Sequence, residues 1–427
     1  MYRFSFCEVP MLSFFPLLLL TSGSCALIYY RAVLLSPKKL FSPLLRADRA
    51  ERKRARSTLL LALSGTLGVG NITGVATALL LGGEGSVFWM ILSSILAVAL
   101  KYAEATLSVS YGKGGGMAGV LKRIVPYPVG GILALLYSLA FLLLALVLGA
   151  AVQSNAIIEN AAPHLNIRKE ILSLLLTFAL ALLLFGKVSR ILRALTFTLP
   201  IATVVYVLLC LCVLFSNLPL LPSLLLRILK SALQGTRPVV SGVVGSLTKA
   251  AIREGFFAGL LSNEAGAGTS AMAHEENASL SQAGAIGTLE VLFDTAFLCT
   301  LSALTFLIQG GNVGATSAGE VIYQTFYPLF GVWYLPPLLF SVILFAVSTS
   351  LCYFIYARRT LCFLKRERLT PLYTVLFLSF LYLGGRMEST PLVVLSHAIL
   401  AVLVALSGIA ILTAVLGGKQ KASDTGV

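Results

Sequence analysis

Residues 64–77, SGTLGVGNITGVAT, interrupt an apolar run long enough to cross a bilayer. They hold four glycines (Gly65, Gly68, Gly70, Gly74), Asn71, three threonines and a serine. Glycine costs roughly 1 kcal/mol relative to alanine inside a helix, and hydrocarbon offers no partner to a backbone group released from one. A break at membrane depth survives only where protein or a water-filled cavity replaces the lost hydrogen bonds. The segment therefore predicts a discontinuous helix and, at its break, a candidate site for a polar solute.

The rest of the chain supports a membrane setting. Of 427 residues, 58% are hydrophobic and only 11% charged, against about 25% in soluble domains. A net charge of +15 suggests nucleic acid in a soluble protein, but here the basic residues fall in short loops, where they set membrane orientation. Seven cysteines form no CxxC pair and only three histidines exist, which argues against a disulfide scaffold or a His/Cys metal site.

About 20 apolar residues span the hydrocarbon core. That ruler gives eleven spans, at 11–35, 58–81, 86–111, 129–155, 169–187, 195–216, 238–261, 281–309, 331–357, 371–384 and 391–416, in one transmembrane domain over 1–427. SGSCA at 22–26 looks like a processing site. However, Glu8 precedes it and cleavage would leave the basic segment 36–57 outside, so the span reads as retained. With the N-terminus outside, cytoplasmic segments carry 23 of the 32 lysines and arginines and external ones seven. An odd count of spans then puts the C-terminus in the cytoplasm.

The second and seventh spans are the most glycine-interrupted; the seventh contains SGVVGS at 241–246. Five spans apart, they cross in opposite directions. This pattern predicts two inverted five-helix repeats, 58–216 and 238–416, with one extra helix in front and a tail at 417–427. Solute binds at the midplane in such proteins, where the first helix of each repeat breaks. The alternative, that glycines serve close helix packing, stays open for Gly74 and Gly242.

The break Gly68-Val69-Gly70-Asn71 offers N–H groups to a carboxylate and carbonyls to a cation. Neither break contains Arg or Lys, so backbone and Asn71 would hold the anion. Ser348, Thr349 and Ser350 in the ninth span add hydroxyls for an all-oxygen cation site, unless they bond back to their own helix. Glu290 and Asp294 share a face of the eighth span. The deeper Asp294 could meet a cation, an ammonium or a proton. Lys101 and Glu104, three apart, read as a structural ion pair. Gln153 and Asn155 either contact solute or satisfy a helix end.

Several blocks resemble the alanine or glycine:cation symporters, also called sodium:alanine symporters. They are GTLGVGNITGVATALLLGGEGSVFWM (65–90), KYAEATL (101–107), VQSNAI (152–157), LSNEAGAGTSAMAH (261–274), FDTAFLCTLSAL (293–304) and FAVST (345–349). They occur in family order across most of the chain. The resemblance implies the leucine-transporter-like inverted repeat of the amino acid–polyamine–organocation superfamily. It implies a substrate carboxylate on Gly68, Gly70 and Asn71, with Gln153 and Asp294 towards the pocket; the breaks themselves add Val69 and, at the second, Gly242 as candidate substrate contacts. Sodium falls to the carbonyls of Ser64 and Leu67 with Ser348 and Thr349. LSNEAGAG is expected near the cytoplasmic gate. The chain departs from the family at Ile91, where WMW is usual, and at 115–119, where GGPM is usual.

The expected protein is an all-α, multi-pass plasma-membrane symporter that imports a small neutral amino acid with sodium. It is expected to carry no covalent cofactor and to bind no nucleic acid. Proton coupling through Asp294, a glutamine preference, and a non-transporting sensor remain alternatives. An enzyme is disfavoured, since HExxH, GxSxG and facing paired aspartates are lacking.

Overall fold

The computed structural model describes residues 10–45, 47–165, 167–184, 188–233, 242–274 and 279–417. Those residues form helices and connecting turns, with no strand among them. The first helix, α1 (Pro10–Tyr29), is followed by two short ones, Arg31–Leu34 and Pro37–Leu45. Next, α2 (Arg49–Thr66) starts nine residues before the apolar run predicts. Its start is fixed by a capping box: Asp48 accepts from the Glu51 N–H, and the Glu51 carboxylate accepts from the Asp48 N–H. After the break come α3 (Thr73–Gly82), α4 (Gly85–Leu107), α5 (Gly116–Ile124), α6 (Val129–Leu146), α7 (Gln153–Leu165) and α8 (Lys169–Leu184). They are followed by α9 (Val188–Ser216), α10 (Leu221–Leu233), α11 (Gly242–Asn263), α12 (Thr269–Ala273), α13 (Leu280–Val291) and α14 (Thr300–Ile308). The last four are α15 (Ala318–Phe330), α16 (Leu335–Phe363), α17 (Thr370–Gly384) and α18 (Ser389–Leu416).

Each predicted span has helix over most of its length. Among the described residues, six continuous helices are long and apolar enough by themselves to cross a membrane. Two amphipathic helices, α5 and α10, escape the apolar-run ruler. α10 buries Leu224, Ile228 and Ala232 on one face, at the helical spacing of a surface helix. It lies so close to α4 that a Cβ at Gly85 would sit 2.9 Å from the Ala232 nitrogen.

α2 and α3 are the two halves of the broken helix that residues 64–77 predict. The second break lies elsewhere than expected. α11 runs unbroken for 22 residues from Gly242 to Asn263, so residues 242–246 of SGVVGS do not interrupt it; Ser241 lies outside the described residues. The chain breaks instead at 264–268, where Glu264, Gly266 and Gly268 take φ of +55°, +87° and +79°, before the five residues of α12. Two spaced glycines only weaken a helix, whereas positive φ at three near-consecutive residues ends it. Gly242 thus lies about 30 Å along the helix from Asn263, and its expected place in the site is withdrawn.

α11 packs on α4 through Gly255 and Gly259. A Cβ there would come within 2.4 Å of the Ser86 carbonyl and 2.3 Å of Ser93 Oγ, the close approach that small residues four apart allow between membrane helices. On α13, Gly284 and Gly287 do the same against Tyr102 and the Lys101 carbonyl. These contacts seat α4 between α11 and α13. Two π-helical turns, Val147–Val152 between α6 and α7 and Leu292–Cys299 between α13 and α14, widen otherwise continuous helices. Such widenings concentrate at functional sites, and here one precedes Gln153 and the other contains Asp294.

Candidate functional site

The two breaks face each other. A Cβ at Gly70 would lie 3.4 Å from Ser262 Cα and 3.5 Å from the Leu261 carbonyl oxygen. These are ordinary van der Waals distances, so the first break packs directly on the C-terminal end of α11. In the first break, the Leu67 N–H donates to Leu63 and the Gly68 N–H to Thr66, so the helical ladder stops. A short 3₁₀ turn, Val69–Asn71, leads into α3, which starts with no side-chain cap. The Val69 N–H reaches Gln153 Oε1 at 3.4 Å. Gln153 Nε2 donates to the Leu148 carbonyl inside the π-helical turn, which orients the amide. The helix start leaves N–H groups available to an anion.

Of the four expected sodium ligands, two are in contact. Thr349 Oγ1 lies 3.4 Å from the Ser64 carbonyl oxygen, across the gap between α16 and α2. Leu67 has ψ of 75°, which turns its carbonyl out of the helical row. Ser348 is buried, but its hydroxyl donates to the Phe345 carbonyl of its own helix at 2.9 Å. A hard cation would find neutral oxygens here, and that donor chemistry fits sodium. The Asn155 amide, in contrast, is bonded to the carbonyls of Gly384 and Met387 and serves as a helix tie.

Asp294 is fully buried and saturated. Its Oδ1 accepts from Asn71 Nδ2 at 2.7 Å, and its Oδ2 accepts from Ser262 Oγ at 2.6 Å and Thr295 Oγ1 at 2.8 Å. It therefore knots both breaks to the π-helical turn. Ser262, Thr295 and Glu264 are residues that sequence reasoning did not single out. The signal for Ser262 and Glu264 is the SNEAG block, expected at a gate rather than at a break, and that for Thr295 is its place next to Asp294 in FDTAFLC.

The predicted Lys101–Glu104 pair does not form. Lys101 Nζ bonds instead to Glu290 Oε2 at 3.1 Å and Thr269 Oγ1 at 3.2 Å. Three residues apart on one helix is close enough to pair, but α13 brings a better-aimed carboxylate. Glu290 Oε1 accepts from Ser270 Oγ at 2.8 Å. Glu104 Oε1 accepts from the Gly268 N–H at 3.2 Å. The buried charges of α4 and α13 thus hold the second break and α12.

Between the breaks lies a small cavity of about 20 Å³, lined by Gly68, Gly70, Gln153, Leu261, Glu264 and Thr349 among others. That is room for about one water. A far larger cavity, about 640 Å³, opens beside Lys113, Arg358 and Arg359. It lies beyond the second break, where Ala271 and Met272 of α12 line it, and shares no lining residue with the small one. We place the site at the small cavity, because the interrupted backbones converge there.

Discontinuous helices meeting at a small buried cavity are the architecture of membrane transporters. This chain belongs to the sodium:alanine symporter family, whose profile matches residues 15–422. Family members are amino-acid:cation transporters, not enzymes. An uncharacterised transporter of Haemophilus influenzae is 31% identical over 82% of this chain and 74% of its own. The sodium/alanine symporter AgcS of Methanococcus maripaludis is 28% identical over 78% and 76%. A sodium/proton-dependent alanine carrier of Bacillus sp. PS3 is 28% identical over 72% and 73%. The crystal structure of MhsT in complex with L-phenylalanine superposes with a TM-score of 0.55 at 14% identity, over 86% of this chain and 90% of that one. At that identity the likeness speaks for a shared fold. The protein is thus a multi-pass membrane protein of the amino-acid symport class, with helices and no strands among its described residues.

Proposed function

We propose that this protein imports a small neutral amino acid, alanine or glycine, together with sodium by alternating access. The observation that carries the reading is the meeting of two broken helices at a cavity that also borders Thr349. The amino-acid carboxylate binds the N–H groups of Val69 and Gly70 in the 3₁₀ turn before α3, displacing Gln153 Oε1 from the Val69 N–H, beside Asn71. Sodium binds the carbonyls of Ser64 and Leu67 with the hydroxyls of Thr349 and Ser348. Bound there, the ion supplies positive charge that ties α2 to α16. The residues themselves orient the solute and exclude water, and the cavity, with room for about one water, must widen to admit even alanine. Asp294 acts on the pocket through Asn71.

In this reading residues 58–216 and 238–416 form inverted repeats, α1 is the extra helix, the N-terminus is external and the tail cytoplasmic. Each charge moved down the membrane potential contributes roughly 2.3 kcal/mol per 100 mV. The names of relatives that carry alanine with sodium, or with sodium or protons, agree with it.

Uptake of labelled alanine, glycine and glutamine into proteoliposomes, with and without a sodium gradient, tests the proposal. Sodium-driven uptake of alanine or glycine is expected, and sodium-independent uptake of all three would remove the mechanism. Thr349→Ala should raise the sodium concentration needed for half-maximal uptake roughly tenfold or more, the equivalent of about 1.4 kcal/mol. An unchanged midpoint would remove the assigned ion site.

A further inference from the structure

We infer that the large cavity beside α12 binds a phosphate-bearing anion, and that the bound anion steadies α12. The site is separate from the solute cavity, so its binding stands whether or not the function proposed above holds. The cavity measures about 640 Å³, a size typical of small-molecule sites. Three stretches of chain meet around it. The turn after α4 supplies Lys113, Gly114 and Gly116, α12 supplies Met272, and the end of α16 supplies Arg358 and Arg359. All three stretches lie in segments that the distribution of basic residues makes cytoplasmic.

Charge distinguishes this cavity. Among its described lining residues, Lys113, Arg358 and Arg359 are cationic and none is acidic. Lys113 and Arg358 are exposed and Arg359 is half-buried. Among the described residues, none of the three has an ion-pair partner. Glu367, beside Cys362 on the rim, is outnumbered by Lys365, Arg366 and Arg368 around it in the chain. Membrane orientation explains how many basic residues a loop carries, but not why those of two loops far apart in the chain share one hollow. Packing brings them together. Gly115 meets the Phe363 ring so closely that a Cβ has no room, and Lys122 Nζ lies 5.8 Å from the centroid of that ring. The turn that carries Lys113 is thereby pinned to the end of α16.

The backbone adds to the cations. Lys113, Gly114 and Gly116 take φ of +40°, +75° and +52°, and turns of this kind form anion-binding concavities from successive N–H groups. Guanidinium groups match the planar spread of phosphate oxygens. An amino-acid zwitterion fits less well, because its ammonium would face three cations. Basic pockets between membrane helices on the cytoplasmic side take lipid headgroups, and Met272, Ile355 and Phe363 give this one apolar wall. A soluble phosphate offers the same group to the same cations. The walls also hold α12. Arg359 Nη1 donates to the Met272 carbonyl, and Ser108 Oγ donates to the Ala271 carbonyl at 2.8 Å, which satisfies carbonyls at the end of that short helix. A guanidinium has further N–H groups to give an anion. An anion on Arg359 therefore fixes the side chain that holds Met272, in the helix that directly follows the second break.

Two probes test this on the full chain at fixed sodium and ionic strength. One is inorganic phosphate in neutral detergent, and the other is phosphatidylglycerol titrated into phosphatidylcholine nanodiscs. At least one should raise the melting temperature and slow amide hydrogen exchange over residues 269–274. Lys113→Gln combined with Arg358→Gln leaves the bonds to α12 in place and should raise the half-saturating concentration tenfold or more. Lys38→Gln combined with Lys39→Gln, two exposed lysines of the helix Pro37–Leu45, removes the same charge elsewhere and should leave it unchanged. A response to phosphate supports the site with a soluble anion as its source, and a response to phosphatidylglycerol alone supports it with a headgroup. No response to either probe, a response equal in the two double variants, or unslowed exchange over α12 overturns the inference. Displacement of the probe by alanine would make the cavity an exit path for the solute and overturns it too.

Discussion

A Lys101→Met variant is expected to lose about 3–5 kcal/mol of stability, because it strands a buried carboxylate. Lys101 is fully buried and Glu290 is 1% exposed, so water cannot solvate what the ammonium leaves behind. The loss extends beyond one ion pair. Lys101 also holds Thr269, and Glu290 holds Ser270, so both hydroxyls that anchor α12 lose their partner or its orientation. Neutralising the stranded group should recover most of the loss. Lys101→Met combined with Glu290→Gln removes both charges and leaves an amide that Ser270 can still meet. Thermal melting in detergent across the single and double variants gives the coupling. A single variant melting like the wild type, or a double variant no more stable than the single, would show that the pair does not hold this end of the molecule.

How much of this was legible in the sequence depends on what kind of interaction each feature rests on. The first break was visible because its glycines interrupt an apolar run on both sides, which a local pattern registers. The second break was misplaced for the same reason. SGVVGS sits inside an apolar stretch and looks like an interruption. SNEAG is followed only by the five residues of α12 and then polar chain, so no apolar run resumes to mark it as one. What ends α11 is backbone geometry at Glu264, Gly266 and Gly268, and glutamate at positive φ is uncommon enough that composition does not announce it. Thr349 and Ser64, 285 residues apart, could be joined beforehand only through family resemblance. Lys101 had a plausible partner one turn away and another on α13; packing through Gly284 and Gly287 decided between them, and packing is not written in spacing. The amphipathic α5 and α10 were passed over because a ruler for lipid-crossing length ignores helices that lie at a surface.

Gly68→Ala is expected to weaken sodium and alanine binding by tenfold or more, about 1.4 kcal/mol or above, while the protein still folds. The backbone permits the change: Gly68 has φ of −109° and ψ of −167°, an extended conformation open to any residue. The obstacle is space. The added Cβ would lie 2.9 Å from Thr349 Oγ1 and 3.4 Å from Gln153 Oε1, so both must give way. Overpacking of this kind typically costs about 1–3 kcal/mol. Here the yielding atoms are side-chain tips, so the strain falls on their contacts rather than on the helices. Those contacts are the hydroxyl beside the Ser64 carbonyl and the amide beside the Val69 N–H, one assigned to sodium and the other to the carboxylate. Both ligands should therefore weaken together, seen as a raised sodium midpoint for uptake and a reduced alanine-induced thermal shift. Gly131→Ala on α6, where an added Cβ meets nothing within 4 Å, supplies the comparison and should change neither. If Gly68→Ala binds sodium as the wild type does, Thr349 and Ser64 are not the ion's ligands. If it loses sodium affinity but keeps its alanine shift, Gln153 is not part of the carboxylate site.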